Sequence, residues 1–289
     1  MKDVVIVSAV RTPIGRFQGA LSSIPATELG GKAIHGALAK INLDPKLVQE
    51  VFMGSVLQAN LGQAPARQAA LAGGLSQDVP CTTVNKVCAS GMKAIALAAN
   101  AIRVGDVDIA VAGGMENMSQ APHVIYGMRS GVGFGQQQAI VDSLFASLMD
   151  PVGGLYMAQT AEKIAKRLGI TREQQDEYAL RSHQLGAKAV QSGRFAAEIV
   201  PVTVKGRKGD ELVSTDDHIK PDTTLEGLAK LRAAFGKDGT VTAGNASGIG
   251  LLAQFDLRIR RQGRKFRFSR HVGGATNGTE QHYLGREQE

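Results

Sequence analysis

Short, β-branched apolar segments alternate with longer amphipathic segments along the first part of the chain. Residues 4–9 form the first apolar segment, and its continuity predicts a strand buried on both faces. Residues 27–41 repeat apolar positions at helical spacing and predict an amphipathic helix. The same reasoning predicts strands at 51–57, 79–85 and 107–112, and helices at 64–72 and 90–104. This alternation favours an α/β fold with mostly parallel strands.

The regular pattern loosens after Gly113, because residues 115–155 are rich in Gly, Ser, Gln and Met without clear periodicity. Such a composition predicts an excursion over the surface of the protein. Periodicity returns downstream, where the sequence predicts helices at 160–168 and 172–192 and short strands at 199–205 and 212–213. Regular structure is expected to end at Gly250.

The composition is typical of a soluble globular protein, with 43% hydrophobic and 20% charged residues. We expect no membrane association, because no apolar run reaches the length of a membrane-spanning helix. The N-terminus enters an apolar strand without the features of a signal peptide, which predicts a cytoplasmic protein. Cys81 and Cys88 are the only cysteines, and their spacing fits no disulfide framework and no zinc or haem motif. No metal site is therefore expected.

Basic residues concentrate at the end of the chain, where residues 250–289 hold eight Lys or Arg against four Asp or Glu. A basic run is one signature of nucleic-acid binding. No known nucleic-acid-binding motif lies beside this one, so a solvated segment is the favoured interpretation. We therefore expect no nucleic-acid partner.

Cys88 lies at the junction between a predicted strand and the predicted helix that follows it. The small residues 89–91 leave room around its sulfur. A thiol at a helix N-terminus faces exposed N–H groups and the positive end of the helix dipole, which stabilise a thiolate. An inert buried cysteine is the alternative, and the spacing alone does not decide between the two. Cys81 lies within a predicted strand and is interpreted as structural.

Six segments resemble the thiolase family in sequence, order and spacing. They are 6–15 (IVSAVRTPIG), 62–68 (GQAPARQ), 85–93 (NKVCASGMK), 110–119 (AVAGGMENMS), 160–162 (TAE) and 239–248 (GTVTAGNASG). The resemblance covers residues 1 to 249 without a large gap and implies an acyl-CoA acetyltransferase of fatty acid metabolism. It implies a layered α/β domain with a mixed, mostly parallel sheet and an inserted loop domain that binds coenzyme A.

The resemblance also assigns functional residues. Cys88 resembles the nucleophile that takes the acyl group as a thioester intermediate, with its own backbone N–H in the oxyanion hole. The positions that match residues lining the coenzyme A pocket are Met157, Leu231, Phe235, Ala243 and Ser247, with Lys220 near the phosphates. Ordinary core packing is the alternative for the three large apolar members of this set. Tyr156 stands where many biosynthetic relatives have His, which leaves the acyl-chain preference open.

The chain departs from the family after residue 249, where it reads GLLAQF instead of Asn-Asp-Gly and an Ala-rich strand. Three family segments have no counterpart, namely Asn-Glu-Ala-Phe, Gly-His-Pro and Cys-x-Gly-Gly-Gly. The resemblance implies that they supply an oxyanion-hole asparagine, the histidine that activates the nucleophile and a proton-shuttling cysteine. His271 and His282 lack the Gly-His-Pro context and are not accepted as replacements. The abrupt change predicts a frameshift or a misread gene end.

The expected organisation is an α/β domain at 1–118, a coenzyme A loop domain at 119–249 and an atypical basic tail at 250–289, disordered or frameshifted. A second thiolase domain is expected to be missing, which would uncover the predicted helix at 90–104. That open face is expected to carry Met92, Ile95, Ala96, Ala99 and Ile102.

Three functional hypotheses follow. The first is a thiolase that uses acyl-CoA and acetyl-CoA as substrates without a permanently bound cofactor, as a homo-oligomer (dimer or tetramer). The second is a truncated, inactive relative that binds coenzyme A or an intact thiolase subunit. Nucleic-acid binding through the basic tail is the third and the least favoured.

Overall fold

The computed structural model describes residues 3–207, 209–248 and 250–259 of the chain. Its strands are β1 (Val5–Arg11), β2 (Gly15–Arg16), β3 (Glu50–Gly54), β4 (Cys81–Val84), β5 (Ile109–Asn117), β6 (His123–Ile125), β7 (Ile140–Asp142), β8 (Met149–Asp150), β9 (Leu155–Tyr156), β10 (Val202–Val204), β11 (Glu211–Val213) and β12 (Gly250–Ile259). Its α-helices are α1 (Ala26–Lys40), α2 (Pro65–Ala72), α3 (Ser90–Val104), α4 (Ser143–Ser147), α5 (Met157–Leu168), α6 (Arg172–Gln191) and α7 (Leu225–Ala229). Single 3₁₀ turns occupy Pro45–Leu47, Met118–Gln120 and Met128–Ser130.

A mixed sheet with the strand order β1-β12-β5-β3-β4 forms the centre of the fold. β3 runs parallel to both β4 and β5, while β12 runs antiparallel to β1, β5 and the short β2. The prediction of an α/β fold with a mixed, mostly parallel sheet is confirmed, because β12 alone among the described strands of this sheet runs opposite to the others.

The two faces of the sheet are covered by different helices, as the side-chain alternation of β3 shows. Val51 and Met53 belong to the larger core, which also contains the apolar faces of α1 and α2. Phe52 points to the opposite face and belongs to a second core with Ala94 and Ala98 of α3. The helix that follows Cys88 is therefore fixed directly against the centre of the sheet.

β12 contradicts the prediction that regular structure ends at Gly250. Residues 250–259 form a strand that pairs with β5 from Leu251–Asn117 to Ile259–Ile109 and with β1 on its other edge. Its sequence alternates apolar and polar residues from Gln254 to Ile259, which is a strand signal that the Arg-rich composition concealed. The prediction that the rest of the tail is disordered or frameshifted lies outside the described residues.

Residues 119–248 connect β5 to the final strand through short elements. The predicted helices near 160–168 and 172–192 are confirmed as α5 and α6. The pairs β6–β7, β8–β9 and β10–β11 each form a separate two-stranded sheet. The first two pairs were not predicted, because the sequence around them shows no clear periodicity. The boundary of a loop domain at 119–249 stays a prediction.

One segment of the described chain, Val87–Val104, is long and apolar enough to cross a membrane, contrary to the expectation that no segment reaches this length. Length and composition are shared by the core helices of soluble proteins. Of this segment 28% is buried, and the buried part includes Ala94, Ala98 and Ile102, which pack against the sheet.

The open face of α3 is smaller than the sequence predicts. Met92 is 72% exposed, and Ala96 is also exposed. Ala99 and Ile102 are instead buried, because α3 turns this side toward β3 and β5. The expectation that these two residues lie on an uncovered face is therefore wrong.

Candidate active site

Cys88 lies in the short connection between β4, which ends at Val84, and α3, which begins at Ser90. Its side chain is exposed, whereas Cys81 within β4 is only partly accessible. The predicted position of Cys88 at a strand-to-helix junction is confirmed. The alternative of an inert buried cysteine does not fit this exposure.

The connection around Cys88 is a tight turn with several hydrogen bonds. The backbone N–H of Val87 donates to Asn85 Oδ1 over 3.0 Å, and that of Lys86 donates to Ser90 Oγ over 2.9 Å. The Ser90 hydroxyl in turn donates to the carbonyl oxygen of Val87 over 2.5 Å. The side chains that make these bonds lie on both sides of Cys88 in the sequence. Asn85 and Ser90 were not predicted to be functional from the sequence, although both lie within the 85–93 motif.

The N-terminus of α3 is open toward this turn. Ala89 is its N-cap residue, and no side chain caps the helix. The first turn of a helix has N–H groups without intrahelical partners, so an uncapped end favours a nearby anion such as a thiolate or an oxyanion. The turn thus places Cys88 two residues before the start of a helix without a side-chain cap.

Glu116 of β5 is a partly buried carboxylate near the same end of the sheet, and it was not predicted as a site residue from the sequence. It accepts hydrogen bonds from the backbone N–H groups of Val56 (2.8 Å) and Leu57 (3.2 Å). Burial raises the pKa of the Glu116 carboxyl, although these two bonds act in the opposite direction. The detectable signal was an acidic residue inside the largely apolar 110–119 motif.

The residues predicted to contact coenzyme A lie mostly on the surface. Met157 is 49% exposed and Leu231 is 36% exposed, so core packing does not account for them. Phe235 is partly buried, and core packing remains an alternative for it alone. Ala243, Ser247 and Lys220 are exposed as well.

Two groups of these predicted residues can be distinguished by their contacts. In the first, a backbone bridge between Ala233 and Thr242 brings the segment of Leu231 and Phe235 beside Ala243. A Cβ added to Gly244 would lie 2.5 Å from Leu231 Cδ1, so the 239–248 loop packs directly on this segment.

The second group surrounds Lys220, whose backbone N–H donates to His183 Nδ1 over 3.2 Å. A Cβ at Gly248 would overlap the His218 ring, which places the neighbouring Ser247 close to this group. Burial lowers the pKa of His183, and the positive charges of Lys220 and His218 act in the same direction. Met157 stands apart at the start of α5, where its N–H donates to the Leu148 carbonyl oxygen.

Glu162 of α5 anchors the 239–248 loop that carries Ala243 and Ser247. Its carboxylate accepts hydrogen bonds from the backbone N–H and hydroxyl of Thr240 and from the N–H of Val241, at 2.7–2.9 Å. Burial raises the pKa of this carboxyl, but the bonds from Thr240 and Val241 outweigh it and leave the pKa below its ordinary value.

Replacing Glu162 by Gln should lower the free energy of unfolding at pH 7 by about 1 kcal/mol, because an amide N–H₂ would face donors that now meet a carboxylate. A lowered folded-state pKa stabilises the protein above the unfolded-state value and ceases to do so as the pH falls through the folded-state value. The difference between wild type and variant should therefore shrink below the ordinary carboxyl pKa of 4.5. Urea unfolding between pH 7 and pH 3 measures it.

The matched control is Glu177→Gln on the exposed side of α6, which should change stability little at any of these pH values. A constant difference between wild type and Glu162→Gln across the range would contradict the role of the ionised carboxylate.

Comparison with known proteins gives a consistent set of relatives. The family model described as "Thiolase, N-terminal domain" matches residues 4–250. Acetyl-CoA acetyltransferase of Escherichia coli K12 is 53% identical over 250 residues, and that of Cupriavidus necator is 50% identical over 250 residues. Each alignment covers 86% of this chain and 64% of the relative. The chain thus spans less than two thirds of the length of these curated relatives.

Solved structures with a fold similar to this chain have related names. Human mitochondrial 3-ketoacyl-CoA thiolase superposes with a TM-score of 0.87 at 39% identity, over 90% of this chain and 66% of that chain. Bacillus anthracis acetyl-CoA acetyltransferase gives a TM-score of 0.87 at 41% identity, with the same coverage of both chains.

Proposed function

Because this chain belongs to the thiolase family, we propose that Cys88 accepts the acyl group of an acyl-CoA in the first half of a thiolase reaction. The observation that carries the proposal is the exposed Cys88 thiol, held in a hydrogen-bonded turn at the uncapped N-terminus of α3.

The chemistry of this step is a transfer between two thiols. The Cys88 thiolate attacks the thioester carbonyl carbon, and negative charge develops on the carbonyl oxygen. Backbone N–H groups at the start of α3 are suited to stabilise that charge, among them the N–H of Cys88 itself. Collapse of the tetrahedral intermediate breaks the bond to coenzyme A, which leaves as a thiolate and takes up the proton that Cys88 lost. The products are acyl-Cys88 and free coenzyme A.

The second half of the proposed reaction joins the acyl group to acetyl-CoA, giving acetoacetyl-CoA or another 3-ketoacyl-CoA, or runs as the thiolytic reverse. Forming this carbon–carbon bond requires a base for the α-proton and hydrogen-bond donors for the enolate. Neither role is assigned to a residue of this chain from its sequence. The acyl transfer to Cys88 is therefore the step that we attribute to the chain's own residues.

For the substrate, we propose that coenzyme A lies along Met157, Leu231, Phe235, Ala243 and Ser247, with its phosphates near Lys220. Exposure of the large apolar Met157 and Leu231 supports this, since such side chains are otherwise usually buried. The positive charge of Lys220 suits phosphate groups.

Association into a dimer or tetramer and a cytoplasmic location are proposals as well. β4 has a single neighbour, β3, among the described strands. Its free edge offers unpaired backbone groups to a second copy of the chain, as exposed edge strands do in general.

Incubation of the purified chain with acetyl-CoA should add one acetyl group to Cys88, which intact-protein mass spectrometry with peptide mapping measures. Cys88→Ala should abolish the adduct, because the nucleophilic sulfur is gone. The matched control is Cys81→Ala, which removes the other cysteine and should leave the adduct unchanged. Absence of an adduct in folded wild-type protein would contradict the proposal and favour an inactive relative of the family.

A further inference from the structure

Val87, directly before the proposed nucleophile, has a backbone conformation that its side chain disfavours. Its φ is +49°, in the left-handed region. For a β-branched residue this is a genuine outlier, since the second γ-carbon crowds the backbone there. The Val87 side chain is 59% exposed, so packing does little to offset the strain. Backbone strain of this kind persists only where the surrounding structure imposes it.

Two side chains support this conformation, beside the backbone hydrogen bonds from the N–H groups of Ala89 and Ser90 to the carbonyl oxygens of Lys86 and Val87. Ser90 Oγ accepts from the N–H of Lys86 and donates to the carbonyl oxygen of Val87, so one hydroxyl spans the turn. Asn85 Oδ1 accepts from the N–H of Val87 on the other side. Both peptide groups of the strained residue are thus held by side chains that flank Cys88 in the sequence.

The turn is also attached to the sheet. Asn85 Nδ2 lies 3.5 Å from the Val56 carbonyl oxygen, to which it donates. The N–H groups of Val56 and Leu57 donate in turn to the partly buried Glu116 carboxylate of β5. A series of contacts therefore runs from the central sheet through residue 56 to the strained turn.

We propose that Ser90, assisted by Asn85, is a positioning residue that holds Val87 in its left-handed conformation and thereby keeps the Cys88 sulfur at the uncapped N-terminus of α3. The inference rests on the proposed role of Cys88 as the nucleophile and adds the residues that set its reactivity. If the Ser90 hydroxyl is removed, Val87 relaxes toward negative φ, the peptide before Cys88 rotates, and the sulfur leaves the positive end of the helix.

The test is a double-mutant cycle read as the rate of alkylation of Cys88 by iodoacetamide at pH 7, followed on the Cys88 peptide. Ser90→Ala should slow alkylation about fivefold, the scale of a lost helix-dipole interaction. In a Val87→Gly background the same change should slow it less than about twofold, because glycine adopts φ near +49° without support.

A purely structural role of Ser90 predicts a different result, namely the same loss in both backgrounds, because independent effects add. Equal losses, or an unchanged rate in Ser90→Ala, would overturn the inference. Far-UV circular dichroism and urea midpoints check that each variant is folded. Since iodoacetamide needs no coenzyme A site, a missing acetyl adduct would refute the proposed function while this cycle still decides the inference.

Two matched controls distinguish an effect of changing the turn before Cys88 from a general effect of the Ser→Ala or Xaa→Gly substitution. Ser192 is the C-cap residue of α6, and its hydroxyl also donates to a carbonyl three residues earlier, that of Ala189. Asn42 is another non-glycine residue at positive φ, +52°, away from Cys88 in sequence. Ser192→Ala and Asn42→Gly should leave the alkylation rate within about twofold of wild type, as expected of independent sites.

Discussion

Replacing Arg11 by Met should lower the free energy of unfolding by about 3–5 kcal/mol, because it leaves the buried Asp216 carboxylate and the partly exposed Glu198 carboxylate without their cation. Arg11 Nε lies 2.7 Å from Glu198, and its two terminal nitrogens lie 2.7 and 2.9 Å from the oxygens of Asp216. The side chains of Arg11 and Asp216 are each 3% exposed. The guanidinium also lies 4.9 Å from the centre of the Phe195 ring.

The ionisation of Arg11 is secured by the same partners. Burial lowers the pKa of its guanidinium, but the hydrogen bonds and charges of Asp216 and Glu198 outweigh this and raise the pKa. The buried group is therefore charged at every pH at which the fold is expected to be stable. Met fills a similar volume, so the expected loss reflects the unpaired carboxylates more than a cavity.

Arg16 provides the matched control within the same region. It pairs with Asp217, the neighbour of Asp216, at 3.9 Å, but the two side chains are 71% and 30% exposed. Arg16→Met should therefore change stability by less than about 1 kcal/mol. Urea unfolding followed by circular dichroism measures both variants. Similar small losses for the two would show that the buried pair contributes no more than a surface pair.

The centre of the sheet was predictable from the sequence because its strands are continuous apolar runs. Residues 51–54 and 110–112 are buried on both faces of the sheet, so their continuous apolar sequence predicts strands without apolar–polar alternation. α3 was equally clear, since an Ala-rich helix ends at Gly105, a left-handed C-cap.

β12 could have been predicted from the sequence but was not. Its alternation from Gln254 to Ile259 is typical of a strand, yet it lies where similarity to the family ends and Arg becomes frequent. Its partners are β1 and β5, at the far end of the chain and in its middle. Sheet pairing of this range depends on the whole fold, which local sequence patterns do not encode.

The nucleophile of the candidate site was predictable from the sequence, but the contacts and backbone conformation that hold it in place were not. Cys88 stood out because a thiol precedes a predicted helix within a family motif. The roles of Glu116 and Val87 were not predictable, because one depends on contacts between residues 59 and 60 positions apart and the other on a backbone angle. Both properties arise only when the sheet brings β5, the segment after β3 and the turn together.

The approach of α3 to the sheet at this turn depends on Gly54, the last residue of β3. A Cβ at Gly54 would lie 2.6 Å from both the Gly91 nitrogen and the Ser90 carbonyl carbon, and 2.8 Å from Ser90 Cβ. Two of these three atoms belong to the backbone of the helix start and cannot move without shifting α3. Gly91, in contrast, has space, since its own Cβ would lie 3.8 Å from the nearest atom, the Gly113 carbonyl oxygen.

Gly54→Ala should therefore lower the free energy of unfolding by about 2–3 kcal/mol through overpacking, and it should slow alkylation of Cys88 by displacing the start of α3. Gly91→Ala is the matched control, because alanine fits there and is favoured over glycine in a helix by about 0.5–1 kcal/mol. It should leave stability unchanged or raised. Urea unfolding and the iodoacetamide rate measure both variants. Equal stabilities for the two would mean that the helix start tolerates displacement, and the fixed position of Cys88 would then need a different explanation.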